Sequence, residues 1–238
     1  MLSKQQIPNA LTMLRLVLAA VFFLLLALYR VDQGVAWLMI PAIVLFIAAA
    51  VTDALDGHLA RKWQVESKFG RIMDPFCDKV LILGALIFLA GPSFTFAYIW
   101  NPSGTPELLD ATVRHAQISG VYPWMVVLIL ARELLVTGIR GVVEATGQKF
   151  GANLWGKLKM ILQAIVVPLV LLIVLIYDGE HSFGYDLSNS VQMALRWVRD
   201  ALVYLTVIAS VLSGVPYVAG ALRVFGKPAV SVPEEDGG

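Results

Sequence analysis

Residues 35–56 read VAWLMIPAIVLFIAAAVTDALD. The run from Val35 to Thr52 contains no charged residue, and Asp53 and Asp56 follow directly after its end. A bilayer core about 30 Å thick is crossed by about 20 mostly apolar residues of α-helix. The run is close to that length, so the stretch predicts a transmembrane helix that ends among carboxylates.

The whole chain shares this apolar character. Of its 238 residues, 58% are hydrophobic and 15% are charged, with a mean hydropathy of +0.77, whereas soluble domains carry about 25% charged residues. The composition excludes a disordered chain, and the net charge of +1 excludes a strongly basic nucleic-acid-binding protein. Cys77 is the single cysteine, which excludes an internal disulfide and a cysteine-rich metal site. An integral membrane protein is indicated.

Five further apolar stretches accompany the first. The six predicted spans cover 10–29, 35–52, 80–100, 117–139, 160–177 and 201–222. The fourth is interrupted by Arg132 and Glu133, and Gly91 with Pro92 can end the third early. The first is too long for the apolar part of a signal peptide and lacks a clear cleavage site, so it is expected to be retained. The predicted fold is all-α: a polytopic membrane protein with six transmembrane helices.

Basic residues indicate the orientation of these spans. Residue 4 and the segments 61–79, 140–159 and 223–227 fall on one side of the membrane and carry 12 of the 18 lysines and arginines. Positive charge favours the cytoplasmic side, so both termini and these connections are predicted to be cytoplasmic. The 178–186 connection lies on the opposite side and is acidic, which agrees.

The domain organisation is expected to be simple. Residues 1–238 are predicted to form a single membrane-embedded domain, with 230–238 as a disordered tail. The connections 93–120 and 178–199 have no role that the sequence assigns, and amphipathic surface segments fit them.

Four aspartates lie where the second span ends and the third begins. On an α-helix, each pair shares a face of about 100° with small residues. The first face holds Asp53, Asp56, Gly57 and Ala60, and the second holds Gly70, Asp74 and Asp78. Two neighbouring helices could therefore direct four carboxylates into one space at the cytoplasmic interface.

A divalent cation would relieve the repulsion between these carboxylates. Oxygen ligands suit Mg²⁺ or Mn²⁺ better than zinc, and magnesium commonly shares its coordination shell with substrate phosphates. A cluster with room for two ions points to phosphoryl-group chemistry. A solvated loop, ion-paired with nearby lysines and arginines, would explain any two of the aspartates. Four on matched faces beside apolar spans favour a functional site.

The spacing from Asp53 to Asp78 is D-x2-D-G-x2-A-R-x8-G-x3-D-x3-D. It resembles the signature of the CDP-alcohol phosphatidyltransferases at every fixed position, which makes it far more specific than a short glycine motif. Six membrane helices and a cytoplasmic site are also what that family implies.

The resemblance implies roles for individual residues. The metal ligands would be Asp53, Asp56, Asp74 and Asp78, and Asp78 would also act as the general base. The CDP-linked lipid would contact Gly57, Ala60, Arg61, Ser67 and Gly70. The element PNALTMLR at 8–15 would add Asn9, Thr12 and Arg15 to this binding site. The alternative for this element is a helix start with an arginine that extends to the interface.

The acceptor is set outside the signature. The pattern ARE-x6-R at 131–140 and the segment GKLKMILQ at 156–163 resemble the phosphatidylglycerophosphate synthase branch of the family. The implied acceptor is sn-glycerol 3-phosphate, whose phosphate suits bidentate basic donors and would be held by Arg132, Arg140, Lys157 and Lys159. Alternatively, Arg132 pairs with Glu133 or Asp78, and the lysines only mark the cytoplasmic end of a helix.

The resemblance therefore implies an enzyme of phospholipid biosynthesis. It would transfer a phosphatidyl group from CDP-diacylglycerol, giving phosphatidylglycerol phosphate and CMP at the cytoplasmic face of the cell membrane. Its expected surroundings are membrane lipids and a second copy in a homodimer, with no nucleic acid. Sister enzymes accept inositol phosphate, serine or phosphatidylglycerol, and a divalent-cation transporter is the alternative from another class.

Overall fold

The structure, a computed structural model, describes residues 6–31, 33–63, 68–100, 112–145 and 154–225. Within these residues there are six long helices: α1 (Gln6–Leu28), α2 (Met39–Trp63), α3 (Lys68–Leu89), α4 (Pro123–Ala145), α5 (Leu154–Phe183) and α6 (Asn189–Phe225). Two short 3-10 helices, Ala36–Leu38 and Pro92–Phe94, and one two-stranded sheet accompany them. The prediction of an all-α polytopic membrane protein is confirmed.

Four segments are long and apolar enough to cross a membrane, among the residues described: Asn9–Leu28, Ala36–Asp53, Leu158–Glu180 and Asn189–Leu222. Helix α3 has a shorter apolar part, Lys79–Leu89, and α4 carries four charged residues along its length. With 30 and 37 residues, α5 and α6 are roughly 45 and 55 Å long. Both therefore extend beyond a bilayer core of about 30 Å.

The connection between α3 and α4 is a β-hairpin. Strands β1 (Thr95–Trp100) and β2 (Thr112–Gln117) pair antiparallel, from Thr95 opposite Gln117 to Trp100 opposite Thr112. The predicted helical spans 80–100 and 117–139 are therefore wrong at these ends: α3 stops at Leu89 and α4 begins at Pro123. Gly91 and Pro92 interrupt the helix, and β1 is rich in the aromatic residues that favour strands.

The apolar core occupies the half of the bundle remote from the aspartates. The Phe22 ring of α1 lies 5.5 Å from that of Phe46 on α2, and Phe23 stacks at 5.6 Å on Phe88 of α3. A side chain at Gly84 would place its Cβ 2.4 Å from the Phe23 ring, so α1 and α3 approach closely there because Gly84 has none. This packing fixes the three helices on which the aspartates and Arg15 lie.

Polar contacts close the far end of the bundle. The buried Tyr29 hydroxyl donates to Asp178 Oδ2 at 3.0 Å, and Arg199 Nη1 donates to the Ile118 carbonyl at 2.8 Å. The Tyr185 hydroxyl donates to the Ile176 carbonyl. Burial, Glu180 and Asp178, in that order, raise the pKa of Tyr185, so this phenol keeps its proton and its hydrogen bond at neutral pH.

Candidate functional site

Helices α2 and α3 carry the four aspartates of the predicted metal site. Asp53 and Asp56 lie three residues apart on α2, and Asp74 and Asp78 lie four apart on α3. Residues at these spacings share one helix face, so the helical register expected from the sequence is confirmed. The side-chain positions at 56, 57, 60, 61, 70, 74 and 78, together with all of Ser67, lie outside the described residues.

Asp53 is paired with an arginine from the first helix. Arg15 Nη1 lies 2.5 Å from Asp53 Oδ1, and the Arg15 side chain is 1% exposed while that of Asp53 is 41% exposed. Thr12 is buried one turn before Arg15, and Asn9 is half-buried. Arg15 therefore does not extend to the interface, as the alternative reading of this element required. It joins the predicted CDP-lipid element directly to a predicted metal ligand.

The donor set at this end of the bundle fits a divalent cation. The Asp53 carboxylate is accessible, it is a hard oxygen ligand, and it stands in helical register with a second aspartate. Among the described side chains no three potential metal ligands come together, since the other three aspartate side chains fall outside that set. The complete ligand set remains a prediction.

A buried ion cluster joins α4 to α5. Glu133 Oε1 accepts a hydrogen bond from Arg132 Nη1 at 2.8 Å and forms an ion pair with Lys159 Nζ. The exposed fractions of these side chains are 10% for Arg132, 11% for Glu133 and 8% for Lys159. The Arg132–Glu133 pair that the alternative reading expected is therefore present, and the phosphate role of Arg132 stays a prediction. The cluster brings together two of the predicted phosphate-binding residues with a formal charge of one positive unit.

The other two predicted phosphate-binding residues are placed differently. Arg140 lies eight residues beyond Arg132, about 12 Å further along α4, and it is exposed. The Lys157 backbone is in the first turn of α5, and its side chain is outside the described residues. The Arg132 and Lys159 side chains thus lie together and nearly buried, whereas Arg140 is exposed further along α4.

Helix α6 forms a third wall that the sequence analysis did not assign. Gly214 faces Arg132, since a Cβ there would lie 3.2 Å from Arg132 Cγ and 3.7 Å from Arg132 Nε. One turn earlier Ser210 is fully buried, and Ser213 is buried beside it. The sequence signal for this wall is a set of polar and small residues that recur with helical spacing in the charge-free stretch 201–222: Ser210, Ser213, Gly214 and Tyr217.

A hydrogen-bond chain links the aspartate helix to the ion cluster. Lys79, the residue after Asp78, donates from Nζ to Thr137 Oγ1 at 2.6 Å. Thr137 Oγ1 in turn donates to the Glu133 carbonyl at 2.8 Å. The middle of α3, next to Asp78, is therefore tied to α4 one turn from the cluster.

Comparisons with known proteins agree with this arrangement. Residues 5–212 match the family model described as CDP-alcohol phosphatidyltransferase. The chain is 29% identical over 218 residues to a "CDP-diacylglycerol--glycerol-3-phosphate 3-phosphatidyltransferase" of Bacillus subtilis, covering 89% of this chain and 92% of that protein.

Two further relatives are similar over shorter or comparable lengths. A protein of Mycobacterium tuberculosis named "Probable phosphatidylglycerophosphate synthase" is 35% identical, with 92% of this chain and 83% of that protein covered. A "CDP-diacylglycerol--glycerol-3-phosphate 3-phosphatidyltransferase" of Escherichia coli is 33% identical, with 60% and 71% covered.

Proposed function

The chain belongs to the CDP-alcohol phosphatidyltransferase family, and we propose that it transfers a phosphatidyl group from CDP-diacylglycerol to sn-glycerol 3-phosphate. The products are phosphatidylglycerol phosphate and CMP. The names of the relatives support this acceptor. The observation that carries the proposal is the buried Arg132–Glu133–Lys159 cluster, because an excess of positive charge beside the aspartate helices suits a phosphorylated acceptor.

Enzymes of this family are generally dependent on a divalent metal. In this chain Asp53, Asp56, Asp74 and Asp78 would hold it, as two ions of Mg²⁺ or Mn²⁺. When bound, the metal supplies charge neutralisation at the pyrophosphate and at the departing CMP.

The chain's own residues would position the two substrates and move one proton. Arg61, Ser67 and the small residues Gly57, Ala60 and Gly70 would line the CDP moiety, with Asn9, Thr12 and Arg15 contributing from α1. Asp78 would accept the proton from the acceptor hydroxyl. A bond then forms between that oxygen and the lipid-attached phosphorus, and the bond from this phosphorus to the CMP oxygen breaks. Positioning and electrostatics lower most of the barrier in such displacements.

The acceptor's phosphate would lie at the cationic end of the site. Arg132 and Lys159 would form its buried contacts, and Arg140 and Lys157 would add further basic contacts. The Lys79–Thr137 hydrogen bond would keep this phosphate site at a constant distance from Asp78. A reactive hydroxyl and its base held at constant separation give the effective concentration that such reactions depend on.

The molecular setting follows from the fold and the charges. The chain is an integral membrane protein. In our proposal it is one domain in the cytoplasmic (inner) membrane. The aspartates lie at the cytoplasmic face, where the water-soluble glycerol 3-phosphate arrives and the water-soluble CMP leaves. It would act as a homodimer.

An acceptor assay tests the proposed function. Purified protein with CDP-diacylglycerol and Mg²⁺ is expected to release CMP when labelled glycerol 3-phosphate is added and to place the label in lipid. Inositol phosphate, serine and phosphatidylglycerol are the matched acceptors. Release with one of these and not with glycerol 3-phosphate would contradict the choice of acceptor, and Mg²⁺ flux into liposomes without CMP release would identify a transporter.

Substituting Arg140 tests the outer part of the acceptor site. Arg140→Ala is expected to raise the KM for glycerol 3-phosphate about 10-fold, because hydrogen bonds to a charged group are worth about 1.5–3 kcal/mol and this residue is exposed. The KM for CDP-diacylglycerol and kcat should stay near their original values in steady-state assays. A change in the KM for CDP-diacylglycerol instead would place Arg140 at the other substrate.

A further inference from the structure

Glu133 occupies only one side of the Arg132 guanidinium. It accepts from Nη1 at 2.8 Å, and Arg132 Nε is buried without a hydrogen-bond acceptor among the described residues. The nitrogens Nε and Nη2 form the opposite edge of the planar group, and such an edge can bind a phosphate through two parallel hydrogen bonds. A buried donor without an acceptor is unfavourable, and the fold leaves Arg132 Nε in that state.

Gly214 lies against the stem of Arg132, close to Nε. A Cβ at this position would lie 3.2 Å from Arg132 Cγ, which is tighter than nearly all contacts of real Cβ atoms. The arginine stem would have to move by a few tenths of an ångström. The absence of a side chain therefore lets Arg132 pack against the backbone of α6 while Glu133 holds its other side.

Two more orphaned donors lie one helical turn deeper in the bundle. Gln163 is 2% exposed and follows Lys159 by one turn on α5, and Ser210 is 0% exposed and precedes Gly214 by one turn on α6. Gln163 Nε2 and Ser210 Oγ are both without a hydrogen-bond partner in the part of the chain that the structure describes. Residues one turn apart share a helix face, so these donors continue the faces that carry Lys159 and Gly214.

We propose that Gly214 and Glu133 are positioning residues that present the Nε edge of Arg132 to the phosphate of the acceptor, with α6 as the third wall of that site. Glu133 fixes the guanidinium from one side and Gly214 admits it from the other. The excess positive charge of the cluster and the unpaired donor Arg132 Nε would both be satisfied by a bound oxyanion. The proposal rests on the proposed function for the identity of that oxyanion.

The same edge could chemically take the pyrophosphate of the CDP-linked lipid. We assign it to the acceptor because the lipid's pyrophosphate belongs with the aspartates and their metal, and the Arg132 cluster lies on α4 and α5 instead. The experiment below separates the two sources of phosphate.

The first measurement is binding of inorganic phosphate without CDP-lipid. Thermal unfolding of the purified protein in detergent should show stabilisation by phosphate, and Gly214→Ala should need about 10-fold more phosphate for the same shift, since small misplacements of a positioned group are costly. Gly138→Ala is the matched control, because it is also a helical glycine and a Cβ there meets nothing within 4 Å. Its response to phosphate should equal that of the unaltered protein.

The second measurement is steady-state kinetics, which shows for which of the two substrates the KM changes. Gly214→Ala should raise the KM for glycerol 3-phosphate about 10-fold and leave kcat and the KM for CDP-diacylglycerol within about 2-fold. Arg132→Lys keeps the charge but lacks the planar edge, so it should lose the phosphate response and it carries the test if Gly214→Ala does not fold.

The inference is overturned if phosphate stabilises Gly214→Ala and Arg132→Lys as much as it stabilises the unaltered protein. It is also overturned if phosphate stabilises neither the variants nor the unaltered protein. A rise in the KM for CDP-diacylglycerol, in place of the KM for glycerol 3-phosphate, would overturn it as well. An enzyme that uses another phosphorylated acceptor would refute the proposed function while keeping the phosphate response. The two failures are therefore distinguishable.

Discussion

Asp78→Asn is expected to lower turnover by about 10²–10⁴-fold, the usual contribution of a general base. The amide cannot accept the acceptor's proton, yet it retains the size and one oxygen of the carboxylate. The rate of CMP release at saturating substrates measures the loss. CDP-diacylglycerol binding, followed by its stabilisation of the protein against thermal unfolding, should be largely retained.

Asp186→Asn is the matched control for this substitution. Asp186 is exposed in the short connection between α5 and α6, remote from the aspartate helices, so its variant should turn over at the original rate. Equal loss of CDP-lipid binding and turnover in Asp78→Asn would show that Asp78 is chiefly a metal ligand.

Glu133→Gln is expected to lower the free energy of unfolding by about 3–5 kcal/mol, because removing one partner of a buried ion pair leaves its charges uncompensated. Here two cations, Arg132 and Lys159, would lose the carboxylate that both contact. Reversible denaturation in mixed micelles measures the change.

A second variant and a control give this prediction its specificity. Glu133→Gln combined with Lys159→Gln leaves one cation instead of two, so its stability should partly recover relative to the single variant. Glu180→Gln is the matched control: Glu180 Oε1 accepts from the Leu187 N–H at 2.8 Å, and the glutamine oxygen can still accept that bond, so the change should cost about 1 kcal/mol at most. Strictly additive losses in the double variant would mean that Lys159 and Glu133 are not energetically coupled.

The helices and their order could be predicted because a bilayer imposes a strong local rule. Every backbone polar group in the hydrocarbon must be bonded within its own segment, so apolar runs such as 35–52 indicate helices directly. The ends at 95–100 and 117 could not be predicted this way. Strand and buried helix residues are equally apolar, and hydropathy alone does not separate them.

In the candidate site, too, local features could be predicted from the sequence and contacts between distant segments could not. The register of Asp53 with Asp56 and of Asp74 with Asp78 is local and could be predicted from spacing. The Arg15–Asp53 pair and the packing of Arg132 on Gly214 join helices that are distant in the sequence, and a single chain gives no spacing rule for such pairs. From the sequence, Glu133 is expected only as a partner of Arg132, whereas it contacts Lys159 as well.

The Arg15–Asp53 pair bears on how the enzyme is assembled. If Asp53 is a metal ligand, as we propose, its negative charge would need a partner while the chain enters the bilayer and before the ion arrives. Arg15 is the earlier of the two residues in the chain, so a counter-charge already stands in the first helix when the second inserts. On this proposal the protein would reach its folded shape before any metal is bound, and cation supply would limit activity without limiting the amount of folded enzyme.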